Sequence, residues 1–311
     1  MFKTDIVYTW VDDKDASWLE KKSKYDSSSS KLNKDATDEC RFFNNDELKY
    51  SLRSIEKYAP WINKIFIVVD NQKPSWLNSD NEKIKLVDHR EIIHSNKLPL
   101  FNSCAIENSI CDIKDLSEYF IYANDDMLFW DSVDFEFFFK DGKPVYYLDK
   151  KINKFKNYKH IYGYTIYRAY KLAKESLCVD VTYFPYHNID PYRKSLFLEC
   201  KEKFKNEFNQ TLNNRFRDFS DMQRMIISYY SFSKGEAIFK NTGLNFIDKY
   251  IKRKSKVAQY YTISSKTTEK IKNSKAKLMC INDSRKTTNK DREKIKEILE
   301  NKFPQKSCFE V

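Results

Sequence analysis

The chain has 311 residues, 41% hydrophobic and 16% aromatic, with 23 Phe and 21 Tyr; this supplies a substantial core and excludes a disordered chain. Only 4 Gly are present, and neither a Walker nor a dinucleotide fingerprint occurs, so anion binding falls to side chains or helix ends. The net charge of +11 sits entirely in residues 249–311, which hold 18 Lys/Arg against 7 Asp/Glu and leave 38 of each in the rest.

Seven cysteines, Cys40, Cys104, Cys111, Cys178, Cys200, Cys280 and Cys308, are scattered and never spaced as a zinc pair. They read as reduced thiols of a cytosolic protein. The start has no apolar leader, and no stretch reaches bilayer-spanning length. The expectation is a cytoplasmic protein, with peripheral contact at the inner face of the membrane open to its basic end.

Residues 5–11 form a β-rich run ending in Asp12-Asp13, the first predicted strand. Polar residues 21–40, including Ser27 to Ser30, read as a mobile excursion. Residues 46–58 carry Leu48, Leu52 and Ile55 at helical spacing and are stopped by Pro60. Strands follow at 65–69, ending in Asp70-Asn71-Gln72, at 84–87, ending near Asp88-His89, and at 118–123. This succession, with polar groups gathered at strand ends, predicts an α/β protein with a Rossmann-like sheet.

Asn124, Asp125 and Asp126 follow the fourth strand directly. Open α/β sheets place ligands beyond the carboxyl ends of their strands. Two adjacent carboxylates are costly unless something positive arrives, and a hydrated Mg²⁺ or Mn²⁺ carried by a nucleotide diphosphate suits hard oxygen ligands. Asx residues serve turns and helix caps equally well, so the residues alone leave both uses open.

The second half is predicted to hold a strand at 146–148, helices at 192–208 and 218–231, and a charge-laced helix at 288–302. The second of these helices is expected to open at Asp218-Phe-Ser-Asp221, where carboxylates favour a helix N-terminus. The chain is expected to divide into an α/β lobe at 1–150, a more helical lobe at 151–248, and a basic segment at 249–311. The basic segment suits a polyanionic product, an anionic membrane or nucleic acid. No nucleic-acid module or RNP-like aromatic pattern supports the last.

Four separated blocks together resemble one family. They are Asp-Ile-Val-Tyr-Thr-Trp-Val-Asp (5–12), a long second block from Asn45 to Met127, a third from His187 through Arg193-Lys194-Ser195 to Arg217 and Asp221, and Cys-Ile-Asn-Asp (280–283). Within the second block stand Pro-Ser-Trp-Leu-Asn (74–78), Leu-Pro-Leu-Phe-Asn-Ser-Cys-Ala-Ile-Glu (98–107) and Glu-Tyr-Phe-Ile-Tyr-Ala-Asn-Asp-Asp (118–126). The chain is similar to the Stealth family of sugar-phosphate transferases, which includes bacterial capsular polysaccharide phosphotransferases and the catalytic subunits of N-acetylglucosamine-1-phosphotransferase. The resemblance implies a GT-A-like nucleotide-sugar sheet and transfer of a sugar-1-phosphate from a UDP-sugar, UDP-GlcNAc or a relative, to a glycan hydroxyl with release of UMP.

Carried over residue by residue, the resemblance implies Arg217 on the phosphate, His187 on the phosphate or the acceptor proton, and Glu107 as the other acid or base. A guanidinium matches phosphate oxygens with paired donors that Lys cannot reproduce. Asp126 is the leading metal ligand, Asp125 and Asn124 shape that site, and Asp283 is a second ligand candidate. Asp12, Arg41, Asp46, Asp70 and Gln72 lie at strand ends or loops suited to nucleotide and sugar hydroxyls. Trp10, Trp61 and Trp76 are expected in the core. Two departures stand out: Ser109 replaces a frequent His after the matched Glu107, and Asp13 stands where Gly is common. A metal-dependent glycosyltransferase would use the same carboxylates but release UDP.

Overall fold

Ile-Phe-Ile-Val-Val at 65–69 is apolar on both faces, as a strand covered from both sides requires. In the computed structural model, which describes residues 2–26, 36, 39–152, 158–241 and 255–311, it forms β2 (Ile65–Val69) and is buried throughout. With β1 (Thr4–Thr9), β3 (Ile84–Asp88) and β4 (Tyr119–Asn124) it makes a parallel sheet, and β9 (Asp190–Arg193) adds an antiparallel edge. The order is β3-β2-β1-β4-β9. The chain winds outward from β1 to β3, then crosses to pair β4 with the other side of β1. That reversal opens a crevice between the carboxyl ends of β1 and β4, where Thr9 faces Asn124 in register.

Side chains alternate across the sheet with a period of two. Ile6, Tyr8, Ile65, Ile67, Ile121 and Ala123 meet Leu48, Leu52 and Ile55 of the Glu47–Tyr58 helix. Val7, Phe66, Val68, Phe120 and Tyr122 bury against the Ile161–Leu177, Lys194–Lys203 and Met225–Ser233 helices. Each buried Ile, Leu or Phe contributes about 1.5–3 kcal/mol relative to exposure, so this two-sided core fixes where the strands end.

A second sheet carries the end of the chain to that edge. β5 (Met127–Phe129), directly after Asp126, pairs antiparallel with β12 (Leu278–Asn282), which pairs parallel with β11 (Ala258–Thr262). The expected segments therefore interleave: β9, from 151–248, closes the first sheet, and β11 and β12, from 249–311, extend a strand of 1–150. A further sheet joins β7 (Lys143–Lys151), holding the expected 146–148 strand, to β6 (Phe139–Lys140), β8 (Tyr183–Pro185) and β10 (Ile238–Asn241). The Asn289–Lys302 helix begins as expected, with Thr288 and Asp291 forming a capping box.

Several local expectations are corrected. Residues 16–26 form the Ala16–Asp26 helix instead of entering an excursion, and Ser27 to Ser30 lie outside the described residues, as do Lys252, Arg253 and Lys254. The helix expected at 192–208 is split: 190–193 is strand β9, followed by the Lys194–Lys203 and Lys205–Leu212 helices. Pro191 lacks an N–H but is tolerated because β9 is an edge. The helix expected at 218 begins only at Met225, because the Asp221 carboxylate is spent on the preceding turn, accepting from the Asp218 N–H at 2.8 Å. No disulfide joins any of the seven cysteines, and among the described residues no helix is long and apolar enough to cross a membrane.

Candidate active site

A cleft of about 1040 Å³ opens at the carboxyl ends of β1, β2 and β4. Asn124, Asp125 and Asp126 line it, and Arg41, Asp70, Glu107, His187, Arg217 and Asp283 also face it. Nine of the expected site residues thus come together from segments as far apart as 41 and 283.

Burial, reinforced by Asp126, pushes the Asp125 carboxyl up to about 7. Burial also lifts Asp126 to about 6, opposed by hydrogen bonds from Asn282 Nδ2 at 3.2 Å and Cys280 Sγ at 3.5 Å. Asp126 Oδ1 is buried without a hydrogen-bond partner. Beside the pair, buried Glu47 is held well above the usual carboxylate range, first by burial and then by Asp125. Among the described residues no Lys, Arg or His forms an ion pair with these three carboxyls, and no three His, Cys, Asp or Glu side chains form a preassembled metal cage.

Arg217 reaches the cleft from a loop whose shape is set by buried amides. Asn102 accepts from the Cys104 N–H at 3.0 Å, capping the Ser103–Glu107 helix. Its Nδ2 donates to the Asn214 carbonyl and to Asp221 Oδ2, both at 3.0 Å, while Asn214 Nδ2 donates to Asp221 Oδ1 at 2.7 Å. One asparagine therefore couples the Glu107 helix to the Arg217 loop. Arg217 Nε then donates to Ser103 Oγ at 2.8 Å.

Glu107 is fixed from behind by Arg224, which is only 4% exposed. Arg224 Nε donates to Glu107 Oε2 at 3.0 Å, and its Nη1 donates to the Tyr192 hydroxyl at 2.8 Å and to Asp190 Oδ2. The guanidinium also lies 4.9 Å from the Tyr122 ring centroid. His187 precedes β9; because β9 runs antiparallel to β4, its lead-in lies at the same sheet edge as Asn124. The Tyr162 hydroxyl lies 3.2 Å from His187 Nδ1.

Other expected residues serve the frame. Asp12, Asp46 and Gln72 are not in the cleft wall. Gln72 is buried, with Oε1 accepting from the Asp12 N–H and Nε2 donating to the Asp12 carbonyl, both at 3.0 Å. The Asp12 carboxylate accepts from the Lys14 N–H at 3.0 Å, and Asp46 precedes its helix at φ 64°, 3.4 Å from Lys296 Nζ. Asp70 keeps its place in the cleft, ion-paired with Lys21 at 2.8 Å. Asp283 faces the cleft, but Arg292 takes both carboxylate oxygens at 2.7 and 3.3 Å, which leaves it a poor cation ligand. Ser109 is buried and donates to the Ala105 carbonyl at 2.9 Å, and Asp13 accepts from the Asn44 N–H at 3.2 Å. Trp10 is buried at the cleft wall, while Trp61 and Trp76 pack half-buried against the core.

Sequence reasoning passed over Arg224, Asp190, Glu47 and His89. Arg224 had a visible signal: a lone cation inside Met-Gln-Arg-Met-Ile-Ile-Ser, a run too apolar for a solvated surface. His89 is buried at the cleft wall, and burial lowers its pKa against the pull of Asp70 and Asp88. Its only local mark was its place at the end of the third predicted strand.

Models of Stealth protein conserved regions 1, 2 and 3 match residues 2–30, 41–146 and 186–233; the expected fourth block lies beyond them. The capsular polysaccharide phosphotransferase fcs1 of Haemophilus influenzae is 34% identical over 92% of this chain and 79% of its own. WcwK of Streptococcus pneumoniae, a capsular polysaccharide phosphotransferase, is 32% identical over 100% and 98%. LcbA of Aeromonas hydrophila, also so named, is 36% identical over 76% and 68%. Among solved structures, the galactosyltransferase LgtC in complex with donor and acceptor sugar analogues aligns over 96% of this chain and 95% of its own, at a TM-score of 0.48 and 11% identity. An open α/β sheet, a carboxylate pair at its switch point and relatives at this identity define an enzyme of the phosphotransferase class. Within that class, the chain belongs to the Stealth family.

Proposed function

We propose that this protein transfers a sugar-1-phosphate from a UDP-sugar to a glycan hydroxyl, in the synthesis of a capsular or surface polysaccharide at the cytoplasmic side of the membrane. The carrying observation is the convergence of Arg217, Glu107, His187 and the Asp125–Asp126 pair on one cleft. The acceptor oxygen forms a bond to the sugar-bearing phosphorus, the bridging P–O bond breaks, and UMP leaves with that oxygen. Arg217, braced by Ser103, donates to the oxygens on which charge gathers. His187 or Glu107 takes the hydroxyl proton; Glu107 is the more firmly held, through Arg224.

The carboxylate pair fits a divalent cation, Mg²⁺ or Mn²⁺. Asp126 Oδ1 lacks a partner and both carboxyls are lifted by their surroundings. Mg²⁺ sites commonly use one or two carboxylates plus substrate phosphates, so a full protein cage is not required. Bound there, the ion would neutralise pyrophosphate charge. Asp70 and Arg41 face the same cleft and suit the nucleoside end of the donor, probed first with UDP-GlcNAc. Incubation with a panel of UDP-sugars, Mg²⁺ and oligosaccharide acceptors should give UMP and a phosphodiester signal by phosphorus NMR. UDP as sole nucleotide product, in the absence of phosphatase, would instead make the protein a glycosyltransferase.

A further inference from the structure

Among the exposed large hydrophobic residues described, Tyr162 and Tyr260, 37% and 36% exposed, are the two that line the cleft. They arrive from unrelated elements, Tyr162 from the first turn of the Ile161–Leu177 helix and Tyr260 from β11. Both flank His187, with ring centroids 5.4 and 5.8 Å away. Neither ring stacks on it, the interplanar angles being 73° and 64°.

Both rings are anchored by their polar tips. The Tyr162 hydroxyl meets His187 Nδ1 at 3.2 Å. The Tyr260 hydroxyl donates to Asn282 Oδ1 at 2.9 Å, and Asn282 Nδ2 donates to Asp126 Oδ2 at 3.2 Å. The Tyr260 backbone N–H is itself bonded to the Tyr186 hydroxyl at 3.2 Å. Rigid aromatics with tethered tips and accessible rings lose little conformational freedom when covered, which suits them to binding.

From these contacts we infer that Tyr162 and Tyr260 form the acceptor-sugar subsite, holding the apolar C–H face of a pyranose ring beside His187; the inference rests on the phosphotransferase reading. Strand order sets which substrate lies there. His89 and Asp70 stand at the ends of β3 and β2, on one side of the Asp125–Asp126 pair, and His187 with its two tyrosines stands on the other, beyond β4. A donor reaching from the β1–β2 ends to the carboxylate pair leaves its reacting phosphorus facing the tyrosine side. The acceptor hydroxyl must approach from there.

Saturation-transfer NMR on the whole protein, with methyl glucoside, galactoside and N-acetylglucosaminide as probes and UMP as reference, tests the assignment without requiring turnover. At least one pyranoside should receive saturation at its ring C–H protons. The Tyr162→Ala/Tyr260→Ala double variant should weaken that binding roughly ten-fold, since each aromatic contact contributes about a factor of two to ten, while UMP stays bound. Tyr162→Phe and Tyr260→Phe should retain pyranoside binding, because they keep the rings. Absence of saturation for every pyranoside, unchanged binding in the double variant, or equal loss in the Phe variants would overturn the inference. So would selective loss of the uracil signal, which would place the nucleobase on the tyrosines. Phosphodiester formation is read separately, so the subsite can fail while the phosphotransfer reading stands.

Discussion

Two groups of acids at or beside the same cleft, Glu107 with Asp190 behind it and Asp125, Asp126 and Glu47 on its wall, are treated in opposite ways. Glu107 and Asp190 share one guanidinium, Arg224, which bonds both and the Tyr192 hydroxyl. Asp125, Asp126 and Glu47 share none among the described residues, and Asp126 Oδ1 has no partner at all. The first group is neutralised from within and gains rigidity. The second has no cationic partner among the described residues, which is why we propose it as the cation site.

The largest effect should come from the unneutralised pair. Asp126→Asn removes one carboxylate from the proposed cation site without changing shape, and turnover should fall roughly 100-fold or more. Chelation should abolish parent activity. Full activity of the variant in chelator, measured as UMP release, would dissolve the contrast. A smaller effect is expected at the neutralised group: Arg224→Lys keeps the charge but cannot reach Glu107, Asp190 and Tyr192 with a fixed fork. Its kcat should drop roughly ten- to 100-fold, with donor KM little changed, if Glu107 is positioned through Arg224. Arg224→Met should instead destabilise the fold by about 3–5 kcal/mol, because two buried acids lose their counter-charge.

The two groups were unequally legible in the sequence. Asp125 and Asp126 stood out because adjacent carboxylates end an apolar run, a local pattern that the buried strand β4 reproduces. The parallel strand 65–69 was readable for the same reason, its apolar content being dictated by two-sided burial, while 84–87, the edge strand, buries only Ile84 and Val87. Arg224 and Asp190 were not read, since their partnership spans 34 positions and depends on β9 folding back beside β4. Arg217, Glu107 and His187 carried no local signal and were reached only through the family resemblance; the cleft brings them together. Asp12, Asp46 and Gln72 were read at strand ends and loops and stand outside the cleft wall, with Gln72 bonded to the Asp12 backbone and Asp46 just before a helix.

The contrast also sets a pH dependence. Asp125 and Asp126 have native pKa values of about 7 and about 6, above the unfolded value of about 3.9. For acids shifted upward, the stabilising contribution is fully present below the unfolded pKa and is lost as pH rises through the native one. In chelator, the melting temperature should therefore fall from about pH 4 to about pH 7, and Mg²⁺ should restore part of the loss at the upper end. Asp126→Asn should flatten the profile. A parent profile equally flat in chelator would show that the pair is already neutralised.

The smallest expected effect lies in the basic segment, where the same division recurs. Arg292, Lys277 and Lys296 are engaged internally, with Asp283 at 2.7 Å, Asp131 at 3.1 Å and Asp46 at 3.4 Å. Lys256, Lys266, Lys270, Lys272 and Lys275 are exposed, and Lys252, Arg253 and Lys254 lie outside the described residues. We propose that the outward-facing cations hold a growing polyanionic glycan or an anionic membrane. Such attraction is diffuse and screened by salt, since the Debye length is about 8 Å at physiological ionic strength. Neutralising Lys252, Arg253, Lys254 and Lys256 together should weaken binding to long acceptors or anionic liposomes several-fold at low salt and little at high salt, while turnover on a short acceptor is nearly retained. Parent-like binding of both long acceptors and liposomes at low salt would reduce these residues to solvated surface, and collapse of short-acceptor turnover would move them into the active site.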